Sequence, residues 1–258
     1  MPAAFADCAP VARAPGQKSP NLAQFFSRAA QRPNISLAQD QPAQKESVEL
    51  TYIGHSTFVI RSPEGVTAAT DYNDYVRPAF VPDVVTMNNA HSTHFTDHPD
   101  SGIKHVLRGW HTGSWAKHNV KVRDMYIRNV PTNVRDLDGT RYAGNSIFVF
   151  ETAKICIAHL GHLHHDLTPE HLGQLGQIDV LLVPVDGAYT LAQELMSGVI
   201  DQIRPHVVIP MHVFSSFTLE RFLKQLEGRY TVKRNDGPTV RFSRATLPEK
   251  QVLVLHGF

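Results

Sequence analysis

The sequence predicts a layered α/β domain, and three observations carry that expectation. From Val48 onward, short runs rich in β-branched and aromatic residues succeed one another between Gly, Pro, Asn and Asp clusters. In the second half such runs alternate with stretches that carry helix caps and helical spacing. No short internal repeat recurs, which excludes solenoids and propellers. With 258 residues, 42% of them hydrophobic and 19% charged, the chain is long enough to bury a core of this kind.

Residues 1–47 read as a leader. The first part is rich in Ala and Pro, and Ala4-Phe5-Ala6 has the small-x-small pattern that precedes a signal-peptidase cut, without the charged and apolar regions of a full signal peptide. The expectation is an exported, periplasmic protein whose chain starts inside a longer precursor; the alternative is a cytoplasmic protein with an Ala-rich tail. Ser19-Pro20 supplies a cap and first turn, and Leu22, Phe25, Phe26, Ala29 and Ala30 recur at helical spacing, so an amphipathic helix is expected over about 20–31. A polar linker, about 33–47, leads into a domain spanning 48–258.

Within that domain the composition predicts strands at Val48–Ile53, Thr57–Arg61 and Val66–Thr70, the last two joined by a Ser62-Pro63-Glu64-Gly65 turn. Further strands are expected at Val84–Met87, Tyr126–Val130, Ser146–Phe150 and Lys154–Ala158. A helix opened by Thr168-Pro169-Glu170, a strand Val180–Val185, a helix from about Leu191 to Ile203 and a strand Val207–Pro210 follow. A helix capped by Thr218 and stopped at Gly228, then strands Thr239–Phe242 and Val252–Leu255, complete the domain. Of the two cysteines, Cys156 is expected to pack as a small apolar side chain; with Cys8 in the leader, a single bridge is open only to an oxidising compartment.

A formal net charge of +1 gives no electrostatic case for nucleic acid or an anionic membrane surface. The mildly basic stretch from Arg221 to Lys250 is interrupted by acids and reads as a solvated face. No run approaches the roughly 18 apolar residues of a membrane span.

Histidine is concentrated. Of 15 in the chain, six lie between His91 and His118 and five between His159 and His171. The densest run is His91-Ser92-Thr93-His94-Phe95-Thr96-Asp97-His98, directly after the apolar Val84-Val85-Thr86-Met87. Imidazole nitrogen with carboxylate oxygen is the ligand set that suits zinc and neighbouring divalent ions. His159 and His162 follow a second expected strand and His212 a third, and strand C-terminal ends are where open α/β sheets place their sites.

These residues resemble the metallo-β-lactamase superfamily: Asp97-His98 after a His-rich strand end, the Gly-bearing loop after Ile155-Cys156-Ile157-Ala158, and Ile209-Pro210-Met211-His212 look like its successive metal motifs. Gly54-His55-Ser56 looks like an element of its uncharacterised hydrolases. The likeness runs from about Val48 to about Leu226. It implies a four-layer αβ/βα sandwich with one or two divalent ions, zinc foremost, and hydrolysis of an ester, lactone, amide or phosphodiester of a small molecule. By resemblance the metal residues are drawn from His91, His94, Asp97, His98, His162 and His212, with Asp97 as ligand or as the base that orients water. His55 and Asp71 are placed beside the site, and His159, His164 and His165 around the pocket.

The chain also departs from the family. Its pattern is His-x-His-x-Asp-His, whereas here it is His-x-x-His-x-x-Asp-His. Asn133 stands where a third His is expected, and His159-Leu160-Gly161-His162 replaces His-Leu-Gly-Asp. A carboxylate bridges two ions through two oxygens, while a neutral imidazole offers one lone pair. A single ion, or two unbridged by protein, is therefore favoured over a bridged pair. The competing expectation is a non-catalytic metal- or ligand-binding protein on the same scaffold.

Overall fold

The computed structural model describes residue 8, residues 46–136 and residues 139–257. The expected helix over 20–31 and most of the leader and linker lie outside the described residues.

Two sheets dominate. The smaller has strand order β13-β1-β2-β3-β4-β5 and contains β1 (Val48–Gly54), β2 (Thr57–Arg61), β3 (Thr67–Ala69), β4 (Val84–Met87), β5 (His105–Arg108) and β13 (Thr239–Phe242). The larger has order β12-β14-β11-β10-β9-β8-β7-β6. It contains β6 (Asn119–Val122), β7 (Met125–Asp136), β8 (Gly139–Thr152), β9 (Ile155–His159), β10 (Val180–Pro184), β11 (Val207–Met211), β12 (Thr231–Arg234) and β14 (Gln251–Val254). In the larger sheet β9, β10, β11 and β14 run parallel, the arrangement that aligns their C-terminal ends.

The layers follow from which face each residue buries. Leu50, Phe58 and Ile60 of the smaller sheet meet Ile127, Phe148, Phe150, Ile157, Leu182 and Ile209 of the larger in one apolar core. The opposite face of the larger sheet, with Val149, Ala158, Leu181, Val183 and Val208, is covered by the helices α1 (Pro169–Leu175), α2 (Gln193–Ile203) and α3 (Ser216–Gln225) through Leu175, Met196, Ile200, Leu219 and Phe222. The outer face of the smaller sheet is packed, among the described residues, by Tyr72, Phe95, Ile103 and Trp110. Strands buried on both faces read as unbroken apolar runs, which is why β9, β10 and β11 are legible in the sequence.

Several elements differ from the sequence expectation. The strands β5, β6 and β12 are too polar to announce themselves; β12 is exposed at all four positions and β6 alternates half-buried and exposed, the marks of edge strands. The pair β7 and β8 extends well beyond the expected runs, because Asn133 Oδ1 accepts the Ala143 amide at 3.1 Å and lets the hairpin continue past a bulge between Thr132 and Val134. In α3 the cap is Ser215, whose hydroxyl accepts the Thr218 amide at 3.1 Å, not Thr218 itself.

Cys156 corrects the expectation of a free apolar thiol. It is bonded to Cys8 across 148 residues of chain, with the Cα atoms 6.0 Å apart. Arg128 adds a hydrogen bond from Nη2 to the Cys8 carbonyl at 3.0 Å; it also donates to the carbonyls of Gln174 and Leu175 at the end of α1 and, through Nε, to Glu151 Oε1 at 2.9 Å.

Candidate metal centre

The aligned strand ends deliver the site. His91 and His94 come from the loop after β4, His162 from the loop after β9 and His212 from the residue after β11; one ring nitrogen of each lies within 4.8 Å of the others. His94, His162 and His212 are buried and His91 is exposed. The stretched spacing works because His91 and His94 close a turn, the His94 amide donating to the His91 carbonyl at 2.9 Å, which brings both imidazoles to one side.

Two of the rings have fixed tautomers. His94 Nδ1–H donates to Asp71 Oδ2 at 2.6 Å, and His212 Nδ1–H donates to Asp186 Oδ1 at 2.9 Å. The Nε2 atoms of His94 and His212 then carry lone pairs, and both are buried with no hydrogen-bond partner among the described residues. A buried, unpartnered imidazole nitrogen costs free energy unless something binds it. Carboxylate, imidazole and inward lone pair in a row is the arrangement that orients histidine toward a divalent cation, so these residues fit a metal.

The carboxylates are themselves firmly held. Asp71 Oδ1 accepts from Asn88 Nδ2 at 2.9 Å. Although burial opposes its ionisation, the His94 and His159 rings and these hydrogen bonds hold its carboxyl at about 2. Asp186 Oδ2 accepts the amides of Ala188, Tyr189 and Thr190, and Oδ1 accepts the Thr190 hydroxyl at 2.5 Å. Burial opposes ionisation there too, but the bonds from His212 and Thr190 keep the carboxyl well below the usual range. Desolvation within the cluster, reinforced by neighbouring imidazoles, lowers His55 to about 3 and His91, whose ring is only half enclosed, to about 4, and drives the buried His162 far below its ordinary value. These three rings are thus neutral at neutral pH.

Backbone strain concentrates here. His55, Asp71 and His212 adopt φ of 52°, 43° and 57°, conformations that non-glycine residues rarely hold without surrounding constraint. The His212 amide donates to the His55 carbonyl at 2.8 Å, tying two of them together, and their rings lie 4.2 Å apart. Gly161, at φ +60°, is required: a Cβ there would fall 2.4 Å from Asn145 Oδ1 and 2.5 Å from Asn88 Nδ2.

Other sequence-derived candidates are not brought into the cluster. Asp97 and His98 are exposed, because the buried Thr96 hydroxyl donates to Asp74 at 2.8 Å and accepts the His98 amide at 2.9 Å, which turns both side chains outward. His159 is a buried tie: Nε2–H donates to the Ser56 carbonyl at 2.8 Å and Nδ1 accepts the Gly161 amide at 3.1 Å. Asn133 serves the β7–β8 bulge. His164 contacts His162 Nδ1 through Nε2 at 2.5 Å, while His165 lies outside the four-histidine group. Asp186 is the residue that sequence reasoning missed; its signal was its place just past the apolar run Val180–Val185, level with the other strand ends.

Phe214 and Tyr189 form an exposed aromatic rim. The Phe214 ring is 4.9 Å from that of His212 and 5.6 Å from that of Tyr189, and the two residues are 56% and 65% exposed.

Comparison with known proteins agrees with this architecture. A family described as the beta-lactamase superfamily domain matches residues 49–212. A UPF0173 protein of Pyrococcus abyssi is 33% identical over 75 residues, of whose length the chain spans only 35%. A UPF0173 metal-dependent hydrolase of the same organism is 24% identical over 196 residues, covering 64% of this chain and 84% of the relative. Among solved structures, a proposed Zn-dependent hydrolase of the metallo-β-lactamase superfamily from Thermotoga maritima superposes with TM-score 0.60 and 31% identity, covering 81% of this chain and 98% of that one. A metallo hydrolase from Ignicoccus hospitalis, 22% identical, shares the fold with TM-score 0.55 over 76% of this chain and 99% of its own. With its two facing sheets, its strand-end histidines and a family match across more than half its length, the chain belongs to the β-lactamase superfamily, among relatives that are metal-dependent hydrolases.

Proposed function

We propose that the protein is a metal-dependent hydrolase that uses a single divalent ion, zinc foremost, on an ester, lactone, amide or phosphodiester bond of a small molecule. The observation that carries this is the pair of buried, unpartnered Nε2 atoms of His94 and His212, each backed by an ionised carboxylate and facing His91 and His162. When bound, a divalent ion supplies Lewis acidity and lowers the pKa of its water toward about 7.

The chain's own residues supply the rest. Asp71 and Asp186 fix the ring tautomers and raise ligand basicity. Phe214 and Tyr189 give the apolar part of a substrate a surface beside His212. An all-imidazole set suits zinc, and the Thermotoga protein is named for zinc dependence. The near-neutral charge of +1 favours a small molecule over nucleic acid. The Cys8–Cys156 bridge supports an exported location, since such bonds persist in oxidising compartments.

The test is hydrolysis of a panel of generic esters, lactones and phosphodiesters by zinc-loaded protein, with loss on chelation and recovery on adding zinc back. Tight zinc binding with no turnover across the panel would instead support a non-catalytic binder.

A further inference from the structure

We propose that the ion is held by three histidines, His91, His94 and His212, and that His162 faces the open coordination position as a hydrogen-bond donor rather than as a fourth ligand. This rests on the metal-dependent reading above and assigns the roles within that site.

The assignment follows from which groups can donate. A backbone amide can only donate, and the Arg135 N–H is hydrogen-bonded to His164 Nδ1, so that nitrogen is bare and the ring carries its proton on Nε2. His164 Nε2–H therefore donates to His162 Nδ1, 2.5 Å away. His162 is left with its proton on Nε2, the nitrogen that faces the cluster. That N–H points at His91 Nε2 at 3.0 Å. His91 Nδ1–H in turn donates to the Thr93 hydroxyl at 2.8 Å, whose own proton goes to His55 Nε2 at 3.1 Å. From the Arg135 amide to His55, every bond in the row runs in one direction. The result is three inward lone pairs, on His91, His94 and His212, and one inward N–H, on His162.

Ligation through His162 Nε2 would require the opposite tautomer. Its Nδ1–H would then meet His164 Nε2, and the displaced His164 proton would stand on Nδ1 against the Arg135 amide. Four imidazole ligands would fill the tetrahedral shell of a bound zinc, whereas three would leave the position that catalytic zinc sites keep for water or substrate.

The chemistry for such a donor is definite. As the oxygen of water bonds to the acyl carbon, the carbonyl π pair moves onto oxygen. His162 Nε2–H hydrogen-bonds to that oxygen and keeps its proton. The pair returns as the bond to the leaving oxygen breaks, and the proton of the attacking water leaves with it. A preorganised donor aimed at developing charge is worth about 10²–10³ in kcat. His162 stands where the family motif places a carboxylate, which could not donate in this way.

The experiment combines zinc titration, nitrogen NMR of the imidazoles and kinetics. In the zinc-loaded wild type, long-range ¹⁵N–¹H correlation is expected to show His162 protonated at Nε2 and unligated, and His91, His94 and His212 bare at Nε2. His162→Ala is expected to keep one zinc per chain, with Kd within about threefold of wild type, and to lose about 10²–10³ in kcat, partly rescued by His162→Gln, whose amide still donates. His91→Ala should weaken zinc binding by at least about a hundredfold. A zinc-bound Nε2 on His162, or loss of zinc from His162→Ala as severe as from His91→Ala, overturns this assignment while leaving the metal-dependent reading intact. Failure of the wild type to take up any divalent ion overturns both.

Discussion

Gly161→Ala strikes a position where backbone conformation and side-chain crowding coincide. At φ +60° an alanine costs about 1–2 kcal/mol from its Cβ alone. The new atom would also lie 2.4 Å from Asn145 Oδ1 and 2.5 Å from Asn88 Nδ2, so both amides must retreat by several tenths of an ångström or more. Asn145 Oδ1 accepts the His162 amide at 2.9 Å and Asn88 Nδ2 donates to Asp71 at 2.9 Å. Each of the two buried bonds lost costs about 1–3 kcal/mol, which with the backbone strain gives a total of about 3–8 kcal/mol. Gly65→Ala provides the control, since Gly65 has φ +79° and nothing within 4 Å of the added Cβ, so it carries backbone strain without crowding. Urea unfolding of both variants, in the absence of metal, separates the two causes. Equal destabilisation of the two variants would refute the claim that Asn88 and Asn145 brace the site through Gly161.

Asp186→Asn should leave the fold intact and weaken zinc affinity about 10–100-fold, read by competition with a chelating dye, because the His212 tautomer loses its carboxylate partner. Reducing the Cys8–Cys156 bridge releases a loop of 148 residues, and chain entropy sets the loss at up to about 5 kcal/mol in urea unfolding; two reactive thiols in the untreated native protein would contradict the bridge. The metal-free protein should lose stability as pH falls below the ordinary histidine value. Burial lowers His164 to about 4, so between about 6.5 and 4 the unfolded state binds a proton that the native state refuses, and His159, also lowered by burial, acts in the same direction. The slope is about 1.4 kcal/mol per pH unit per histidine, and a flat profile over that window would refute it.

What the sequence made legible was what burial and ligand chemistry write directly. The parallel strands β9, β10 and β11 appear as apolar runs because both faces are covered, and the histidines just beyond them stand out because several imidazoles rarely gather without a reason. What it could not show was direction. Asp97 and His98 look like ligands by adjacency, yet the Thr96 hydroxyl, bonded to Asp74 twenty-two residues away, turns them to solvent. Asp186 looks like any acid after a strand until the turn Ala188–Thr190 wraps its amides around it. Cys156 reads as a core residue until its partner arrives from a leader 148 residues distant. Each failure is a long-range contact whose local signal is a single ordinary side chain.

Charge balance bears on how many ions this interior holds. Asp71 and Asp186 are both ionised in the native protein, and the rings of His55, His91 and His162 are held neutral by burial and by one another. The two buried carboxylates are matched in charge by one divalent cation. A second would add two positive charges with no bridging carboxylate among the described residues, since Asp97 faces solvent and His162 replaces the family's aspartate. Uncompensated charge in a low-dielectric interior costs several kcal/mol per ion. The stoichiometry of zinc in dialysed protein, measured by elemental analysis, should therefore be one per chain and remain one at a tenfold excess of metal. A stable value of two would mean that an anion from solution or an exposed carboxylate such as Asp97 swings in to complete a second site.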